Sequence, residues 1–436
     1  MTKFGGSSLS NATQFEKVKQ IVQADSKRRV VVPSAPGKSK EEKHKVTDLL
    51  LMCYQLASHK LNVEEIFGII EKRFLEIRDD LKLDFEIEKD LVKVKNEIAN
   101  GADSDFCASR GEYLNGKLLS NYLGFKFIDA TDVIFLKNGK PDMEKSLKSI
   151  AEKINPEDKV VVPGFYGLNA EGEIETFSRG GSDITGAVMA AGMSAEIYEN
   201  WTDVSGFLIA DPKIVEENSP IDVVTYGELR ELSYMGAPVL HEESVFPVKE
   251  KKIPIKVLNT NRPQDAGTLI VPDDFSKLKN KVITGISGKK NFTVIRVEKV
   301  HMSDDLSFYR KLISVFETND IQIEHMPTSV DTISVVVQSS KIEGRENKIK
   351  EEIFIYCDPD DIVISKGMAI IAVVGRGMIK AKGTGALIFS ALAESGINIR
   401  MISQGSGEMN IIIGVENEDF EKAIKAVYKK FKGEEK

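Results

Sequence analysis

Short runs of β-branched residues alternate with long helical patterns along the first 270 residues of this chain. Val30–Pro33 and residues 159–164 are apolar runs ended by proline or glycine, a pattern typical of strands buried in a parallel sheet. Residues 45–122 instead repeat apolar side chains every three or four positions, which predicts helices. Strand patterns return at 125–128 and 255–258. This alternation favours a layered α/β domain.

A second pattern occupies the C-terminal part of the chain, beyond a polar linker at 271–281. Two segments, 282–356 and 368–431, each read strand, helix, strand, strand, helix. Paired α+β units of this size can bury an interface between copies, so we interpret them as an internal repeat. The alternative is that two unrelated α+β units share the pattern by chance. The predicted elements are 292–297, 306–319, 322–326, 332–338 and 343–355 in the first copy, and 369–374, 386–395, 398–404, 410–415 and 417–430 in the second.

The composition argues against several classes of function. The 436 residues carry a net charge of −8 and a pI near 5.5, which argues against a nucleic-acid or anionic-membrane partner. Three scattered cysteines without a Cys-x-x-Cys pair, and five histidines without metal-ligand spacing, predict neither a disulfide framework nor a zinc site. The sequence has no signal-peptide pattern and no apolar run of about 18 residues. We therefore expect a cytoplasmic protein of two to four domains, without a membrane span.

The motif Phe-Ser-Arg-Gly-Gly-Ser-Asp-Ile-Thr-Gly-Ala at 177–187 opens an apolar, alanine-rich helix. Its adjacent glycines, Gly180 and Gly181, let the backbone approach a bound group, and the free amides of a helix start favour an anion. The Arg179 fork suits a carboxylate or phosphate, while Asp183 can hold an ammonium group or organise a lysine. The motif predicts a site for a zwitterion or for phosphoryl transfer. The alternative is a tight turn with a surface Arg–Asp pair.

A glycine-rich loop at 3–8, Lys-Phe-Gly-Gly-Ser-Ser, precedes a predicted helix at 14–24. It lacks the Gly-Lys-Ser/Thr ending of a Walker loop. Amides around Gly5 and Gly6 can still cradle phosphates, and Lys3 can neutralise the charge that moves in phosphoryl transfer. A motif this short also occurs in loops that bind nothing.

A further loop, Trp-Thr-Asp-Val-Ser-Gly-Phe at 201–207, follows a predicted strand at 196–198. Ligands of open α/β sheets bind beyond the carboxyl ends of the strands. Thr202 and Asp203 are therefore candidates to contact a nucleotide, and Lys213 to contact its phosphates. A capped turn is the alternative.

Two acidic motifs have an ordinary structural interpretation, and the first of them also has a functional one. Glu112, in Ser-Arg-Gly-Glu-Tyr at 109–113, stands at a predicted helix start. It is either a capping carboxylate or a receptor for a substrate ammonium group. Thr47 and Asp48 are typical of an N-cap before an apolar helix.

Six motifs, taken in this order, resemble those of the amino-acid kinase family and, within it, of the aspartokinases. They are Lys3-Phe-Gly-Gly-Ser-Ser, Gly111-Glu112, Pro163-Gly164-Phe165, Arg179-Gly-Gly-Ser-Asp183, Trp201-Thr-Asp-Val204 and Val239-Leu240-His241. The resemblance implies an α/β amino-acid kinase (carbamate-kinase-like) sandwich with a parallel-rich central sheet, followed by two α+β, ferredoxin-like ACT domains. It places the kinase domain at 1–270, the linker at 271–281, and the ACT domains at 282–365 and 366–436.

The resemblance also implies a reaction, in which the γ-phosphoryl group of ATP, with Mg²⁺, passes to the β-carboxylate of L-aspartate. The product, 4-phospho-L-aspartate, begins lysine, threonine and methionine biosynthesis. By likeness to the family, the catalytic group is Lys3, Gly5, Gly6 and Asp183. The aspartate site is Thr47, Glu112 (for the ammonium group), Arg179 (for the α-carboxylate), Ser182 and Ser34. The nucleotide site is Ser7, Thr202, Asp203, Phe207 and Lys213, and no protein ligand is assigned to the metal.

ACT domains of this family bind inhibitory amino acids, and the resemblance implies lysine, with threonine as a further candidate. Glu324 and Asp305 would attract a dibasic effector, although ordinary loop residues are the alternative. Because ACT sheets pair across chains, a homodimer or a dimer of dimers is implied. The implied effector residues are Met302, Ser303, Asp305, Phe308, Glu324, Thr328 and Ser329.

Three departures from the family pattern affect these expectations. The strand before Lys3 is reduced to Met1 and Thr2, so we expect a shortened first strand rather than none. Pro238 stands where the family often has a nucleotide-contacting lysine. The loop 37–45 is longer than in many relatives and is a candidate lid.

Two rival functions stay open at this point. One is an amino-acid kinase that acts on glutamate, carbamate or a nucleotide, which Arg179, Glu112 and the two ACT units disfavour. The other is an amino-acid-binding regulatory protein with an inactive kinase domain, which the retention of Lys3, Arg179 and Asp183 disfavours. The chain ends soon after the second ACT unit, so we expect a monofunctional enzyme rather than a fusion with a dehydrogenase.

Overall fold

The computed structural model describes residues 1–39, 43–178, 180–237, 240, 242–275, 281–405 and 407–434. The chain divides into two compact units. The first comprises Met1–Phe207, Pro220–Arg230 and Val239–Leu278, and the second comprises Leu208–Ser219, Glu231–Pro238 and Lys279–Lys436. Two segments from the first 270 residues therefore belong to the second unit.

The strands of the first unit include a central sheet and two short hairpins. In chain order they are β1 (Thr2–Phe4), β2 (Val30–Pro33), β3 (Lys126–Phe127), β4 (Leu136–Lys137), β5 (Lys140–Pro141), β6 (Val160–Val161), β7 (Tyr166–Leu168), β8 (Ile174–Thr176), β9 (Tyr198–Thr202), β10 (Val223–Thr225), β11 (Ile255–Asn259) and β12 (Thr268–Val271).

Eight of these strands form one sheet in the order β10-β12-β11-β9-β1-β2-β6-β3. Neighbouring strands run parallel except for β11 and β12, which confirms the predicted parallel-rich sheet. The first strand is formed by Thr2–Phe4, because β1 lies between β2 and β9 and all three of its residues are buried. Since β1, β2 and β9 are parallel, they end at the same edge of the sheet, where ligands of such sheets bind.

The helices of the first unit pack on this sheet or on one another. They are α1 (Ala12–Gln23), α2 (Val46–Ser58), α3 (Glu64–Asp80), α4 (Ile87–Ala99), α5 (Ser104–Leu123), α6 (Ala130–Val133), α7 (Met143–Lys153), α8 (Gly181–Gly192), α9 (Tyr226–Tyr234), which continues into the second unit, and α10 (Glu242–Glu250). The apolar faces of α1 to α5 meet in one buried core that contains Phe15, Leu50, Phe67, Leu91 and Leu118. The helical spacing of apolar residues along 45–122 predicted this burial.

Two predicted element boundaries near the functional motifs are wrong. The Asp103 side chain caps α5 by accepting from the Phe106 amide at 2.7 Å, so the helix begins well before Glu112. Glu112 therefore lies in the middle of α5 and does not cap it. β9 runs further than the predicted strand at 196–198, so Trp201 and Thr202 are strand residues.

The second unit is an antiparallel sheet with helices. Its strands are β13 (Gly285–Glu298), β14 (Thr332–Gln338), β15 (Asp361–Val374), β16 (Met401–Ser403) and β17 (Asn410–Glu416). Its helices are α11 (Leu306–Thr318), α12 (Ser339–Ile342), α13 (Glu346–Cys357), α14 (Thr384–Glu394) and α15 (Phe420–Glu434). Among the residues described in both units, each helix is too short or too polar to cross a lipid bilayer.

One long strand pair serves both copies of the predicted repeat. β13 and β15 are each 14 residues long, and the sheet order is β14-β13-β15-β17-β16. The boundary predicted between residues 365 and 366 falls inside β15. The predicted strand 322–326 is not formed as such, and the described residues there show isolated bridges that join His325 to Val336 and Thr328 to Ile333.

Candidate active site

A buried cluster of polar side chains lies where β1, β9 and α8 meet. The Lys3 ammonium group on β1 is 2.7 Å from the carboxylate of Asp183 in the first turn of α8. Asn200, on β9, donates to the same carboxylate at 2.8 Å and accepts from Lys3 at 3.4 Å. Lys3 is 7% exposed and Asn200 is 3% exposed. The Asp183 side chain is 20% exposed, so the pair is partly shielded from water and its charges are screened less than those of a fully exposed pair.

The glycine-rich loop after β1 packs backbone to backbone against the loop after β2. The Gly37 amide donates to the Gly6 carbonyl at 2.8 Å. A Cβ at Gly6 would stand 2.8 Å from the Ala35 carbonyl oxygen, and one at Gly37 would stand 2.5 Å from the Gly6 carbonyl carbon. Both positions therefore require glycine. The Lys3 ammonium nitrogen lies 3.6 Å from the place of a Gly5 Cβ, so its charge faces this loop.

Glu112 is a buried carboxylate on α5, close to the loop after β2. It is 5% exposed, and a Cβ on its neighbour Gly111 would be 2.8 Å from the Ala35 Cβ. Burial raises the pKa of Glu112 from 4.5 to about 8, against smaller lowering effects that include the Ala35 backbone, Arg110 and Lys3. Within the described part of the chain, its Oε2 has no hydrogen-bond partner. A cation bound there would find an oxygen ready to accept.

The start of α8 fits closely against the loop after β6. Gly180 caps the helix with φ of 60°, a left-handed conformation that favours glycine. A Cβ on Gly164 would stand 2.7 Å from the Ser182 Cβ, so the backbone of this loop touches the buried serine. Ser182 precedes Asp183 and thus lies next to the Lys3 contact. Arg179 lies outside the described residues, and its role stays a prediction.

Ser34 and Thr47, both predicted to contact aspartate, flank the loop after β2. The Ser34 carbonyl accepts from the Asn115 side chain at 2.6 Å. Thr47 lies in the first turn of α2, whose N-cap, Lys45, makes no capping hydrogen bond through its side chain. The prediction that Thr47 and Asp48 cap this helix is wrong, because the backbone of the loop accepts from the first helical amide at 3.3 Å.

Arg73 ties the ends of the candidate lid to the rest of the first unit. Its buried guanidinium, on α3, donates to the His44 carbonyl at 2.9 Å and to the Ser10 carbonyl at 3.2 Å. It also donates to the Gly37 carbonyl. Residues 40–42 of the predicted lid lie outside the described residues, so the prediction of a lid stays a prediction.

The predicted nucleotide residues are divided between the two units. Thr202 is the last residue of β9 and donates to the exposed Asp203 at 3.1 Å, at the sheet edge where β1 also ends. Ser7, within the glycine-rich loop, is half-buried in the short 3-10 turn Gly6–Leu9. Phe207 is buried, and its amide donates to a β12 hydroxyl at 2.7 Å. Lys213 is exposed and belongs to the second unit. Pro238, Val239 and His241 lie outside the described residues.

The predicted effector residues before and on α11 differ in accessibility. Met302 and Phe308 are buried in the hydrophobic core of the second unit. Asp305 caps α11 by accepting from the Ser307 amide at 2.9 Å, and its hydrogen bond with the Ser307 hydroxyl lowers the pKa of Asp305. The side chain of Ser303 lies outside the described part of the structure.

The remaining effector residues lie beside β14. Glu324 accepts from the Gln338 side chain at 3.2 Å, and its half-buried carboxylate raises the pKa of Tyr234 in addition to the effect of burial. Thr328 and Ser329 are exposed, and the Ser329 amide donates to the backbone at the start of β14 at 2.7 Å.

Three residues that organise the site were missed at the sequence level. Asn200 faces Lys3 because β1 and β9 pair these two residues, although 197 positions separate them. Its one sequence signal is an amide inside an otherwise strand-like run. Asn115 and Arg73 are polar residues at core-facing positions of α5 and α3, and this mismatch with the helical pattern was the available signal.

The arrangement suits an anionic ligand beside Lys3 and a cationic group beside Glu112. Lys3 and the amides of the glycine-rich loop provide positive potential at the sheet edge. Among the described residues, no three His, Cys, Asp or Glu side chains are grouped to hold a metal ion. Since Asp183 is already paired with Lys3, these residues fit a Mg²⁺ ion that phosphates and water hold for the most part.

Comparisons with known proteins agree with one another. Residues 2–259 match the amino acid kinase family, and residues 371–431 match an ACT domain. Aspartokinase 3 of Bacillus subtilis (strain 168) is 32% identical, over 99% of this chain and 98% of its own length. The crystal structure of Clostridium acetobutylicum aspartate kinase, described as an allosteric enzyme, is 51% identical with a TM-score of 0.94, and covers 99% of both chains.

Two crystal structures of Escherichia coli aspartokinase III share the fold at 24% sequence identity. The complex with aspartate and ADP has a TM-score of 0.76 and covers 98% of both chains. The complex with lysine and aspartate has a TM-score of 0.75 and covers 99% of this chain and 98% of the other.

Proposed function

Because this chain belongs to the amino acid kinase family and, within it, to the aspartate kinases, we propose that it transfers the γ-phosphoryl group of ATP to the β-carboxylate of L-aspartate. A carboxylate oxygen forms a bond to the γ-phosphorus while the bond from that phosphorus to the β,γ-bridging oxygen breaks, which releases ADP and 4-phospho-L-aspartate. This step begins lysine, threonine and methionine synthesis. The observation that carries the proposal is the ion pair of the buried Lys3 with Asp183, in which the lysine charge faces the glycine-rich loop.

The central difficulty of this reaction is that two anions must meet. The acceptor carboxylate is already ionised at neutral pH, so the site needs no strong base. Lys3, 2.7 Å from Asp183, is oriented toward the loop whose Gly5 and Gly6 amides can bind phosphate oxygens. A Mg²⁺ ion that enters with the nucleotide would supply further positive charge, while Lys3 and the loop amides hold the phosphate oxygens.

Aspartate binding would use the opposite charges of a zwitterion. Glu112 would receive the ammonium group, because its buried Oε2 is ready to accept a hydrogen bond. Arg179 would bind the α-carboxylate, as the family motif implies. Thr47 and Ser182 would add hydrogen bonds, and Ser34, whose backbone is fixed at the end of β2, would lie near the transferred group.

Nucleotide binding would take place at the carboxyl end of β9. Thr202 and Asp203 stand at that end, on the sheet edge where β1 also finishes. Ser7 would contact the phosphates from the glycine-rich loop, and Phe207 would line the nucleotide site. Lys213 is proposed to contact phosphates on the basis of the family resemblance.

We further propose that lysine, or threonine as the alternative, inhibits the enzyme from the second unit. Glu324, Thr328 and Ser329 offer polar groups beside β14, and Asp305 adds negative charge at the start of α11. Met302, Ser303 and Phe308 are proposed to line the effector site on the basis of the family resemblance, and Met302 and Phe308 belong to the buried core beside it. Inhibition would be a population shift toward a state with a misplaced lid, in a homodimer or a dimer of dimers.

ADP release from ATP, Mg²⁺ and L-aspartate tests the reaction, with hydroxylamine present to trap an acyl phosphate as the hydroxamate. Aspartate-dependent ADP release with matching hydroxamate, suppressed by L-lysine, is the expected result. Turnover with glutamate, carbamate or a nucleotide instead of aspartate would point to another kinase of the family. Absence of turnover with every acceptor would favour an inactive kinase domain that binds regulatory amino acids.

A further inference from the structure

We propose that Asn200 is a positioning residue for phosphoryl transfer, which fixes Lys3 and Asp183 relative to each other through both ends of its side-chain amide. The inference rests on the proposed function. Asn200 Oδ1 accepts from the Lys3 ammonium group at 3.4 Å, and Asn200 Nδ2 donates to the Asp183 carboxylate at 2.8 Å. With the 2.7 Å ion pair, these contacts close a ring of three residues.

Sheet register places the asparagine there. β1 and β9 are adjacent and parallel, and their register pairs Lys3 with Asn200. The two side chains therefore leave the sheet on the same face, toward the start of α8. The next residue toward the chain start on that face, Tyr198, supports the same helix turn, because its hydroxyl donates to the Asp183 carbonyl at 3.1 Å. β9 thus holds both the backbone and the carboxylate of Asp183.

Burial of an amide at this position needs a reason. Asn200 is 3% exposed in a central strand, where strands of parallel sheets are usually apolar. A buried amide without partners is costly, yet here both ends are used, and both partners are charged. The amide therefore stabilises one geometry of the ion pair, and an apolar side chain of similar size would leave that geometry less defined.

The consequence for the reaction lies in the lysine protons. An ammonium group has three N–H donors. Among the described residues, Asp183 and Asn200 accept from Lys3, and the nitrogen lies 3.6 Å from the place of a Gly5 Cβ. With two donors engaged, the third is left for a phosphate oxygen at the glycine-rich loop. A lysine fixed in this way is already oriented when the charge moves.

The neutral amide also differs from a carboxylate in a testable way. Asn200→Asp would place a second carboxylate within hydrogen-bond distance of Asp183, and two such groups share a proton. One Lys3 charge would then serve two acids. Asn200→Leu keeps a similar volume and removes both hydrogen bonds without adding a charge.

Steady-state kinetics of the full-length chain test the inference. For Asn200→Leu we expect kcat to fall by at least about tenfold, while KM for aspartate and for MgATP changes by less than about threefold, because orientation is lost rather than binding. For Asn200→Asp we expect the pH profile of kcat to gain an ionisation that the wild type lacks. Thr2→Val is the matched control, since it removes a buried hydrogen bond of β1, from Thr2 Oγ1 to the Val30 carbonyl at 3.2 Å, one residue from Lys3. Its kcat should stay within about twofold of the wild type.

Several outcomes would overturn the inference. A kcat for Asn200→Leu within twofold of the wild type would do so, as would a profile for Asn200→Asp that superimposes on the wild-type profile. A loss of kcat in Thr2→Val equal to that in Asn200→Leu would show a general effect of sheet destabilisation. If Asn200→Leu does not fold, the profile of Asn200→Asp decides alone. Wild-type chain without aspartate-dependent turnover would instead remove the proposed function, and this inference with it.

Discussion

At the scale of single residues, the environment of Glu112 predicts how aspartate binding depends on pH. The pKa of Glu112 in the free enzyme is raised to about 8 by burial, so the carboxyl is mostly protonated at pH 7. An ammonium group binds the ionised form. Affinity for aspartate should therefore increase by about tenfold as pH rises from 7 to above the pKa of Glu112, and then level off. The pH profile of kcat/KM for aspartate measures this.

Glu112→Gln supplies the test of that assignment. This variant should bind aspartate weakly and lose the rise in affinity between pH 7 and 8, whereas Glu65→Gln on the exposed face of α3 should keep the wild-type profile.

The stability of the fold should fall over the pH range in which affinity for aspartate rises. Because the folded-state pKa of about 8 exceeds the ordinary value of 4.5, Glu112 contributes stability that is full below 4.5 and is lost as pH rises through 8. A wild-type melting temperature that does not fall relative to Glu112→Gln across this window would contradict the assignment.

The proposed effector site can likewise be tested at a single residue, Glu324. Glu324→Ala should raise the lysine concentration for half-inhibition by about tenfold or more, because the site loses a carboxylate that would form a charged hydrogen bond with the dibasic ligand. Basal kcat should be unchanged. Glu317→Ala, an exposed carboxylate on α11, is the matched control and should leave inhibition as it is. An inhibition curve for Glu324→Ala that coincides with the wild type would remove Glu324 from the effector site.

The sequence indicates which side chains have suitable chemistry more readily than it indicates which of them are in contact in the fold. Lys3 and Asp183 were each candidates on their own chemistry, and the structure brings them to 2.7 Å. Asn200 could not be found in that way, because its role depends on the register of two strands 197 positions apart. Arg179 was identified by its motif and stays a prediction.

At the scale of elements, the space around two glycines predicts opposite effects of their substitution by alanine. One glycine lies where the loops after β1 and β2 touch, and the other lies on an open face of a helix. Gly37→Ala places a Cβ 2.5 Å from the Gly6 carbonyl carbon, so the loops must separate. We expect a loss of roughly 1–3 kcal/mol in the free energy of unfolding, with lower kcat. Gly68→Ala, in α3, meets no atom within 4 Å and should stabilise by about 0.5–1 kcal/mol. Denaturant unfolding of both variants measures this, and a Gly37→Ala chain as stable as the wild type would contradict the packing.

The elements that the sequence predicted best are those with strong periodicity or clear ends. β2 and β14 have the predicted bounds, since β-branched runs ended by turn residues define them. The start of α5 is predicted too late, because Glu112, next to a helix-weakening glycine, is typical of a helix start, whereas Asp103 supplies the cap. The start of α2 was missed because backbone, rather than a side chain, satisfies its first amide.

At the scale of the whole molecule, the second unit is built from segments that are far apart in the chain. Leu208–Ser219 belongs to it, although it interrupts the first unit. The Ile286 amide donates to the Ile209 carbonyl at 2.6 Å, which joins this segment to β13. A linear division near residue 270 cannot foresee such an exchange, because local pattern shows where an element lies in the chain and not which sheet it joins. The alternation of strands and helices nevertheless predicted the parallel sheet correctly.

Within the second unit, one side chain of α15 holds the segment Leu208–Ser219. The buried Tyr428 hydroxyl accepts from the Ser219 amide and donates to the Glu217 carbonyl, both at 2.9 Å. Tyr428→Phe removes both bonds and leaves the segment held by fewer contacts. The local opening free energy should fall by about 1–2 kcal/mol, so amide hydrogen exchange at 209–219 should be roughly ten times faster.

The exchange experiment has a clear control and a clear contrary result. Tyr356→Phe changes an exposed ring in the same unit and should leave exchange at 209–219 as it is in the wild type. Unchanged exchange in Tyr428→Phe would show that the hydroxyl is dispensable and that contacts such as the one to β13 hold the segment. Faster exchange confined to 209–219 would show that this segment, which interrupts the first unit in the chain, depends on α15. A hydrogen bond made by Tyr428 would then stabilise a stretch more than 200 residues before it in the chain.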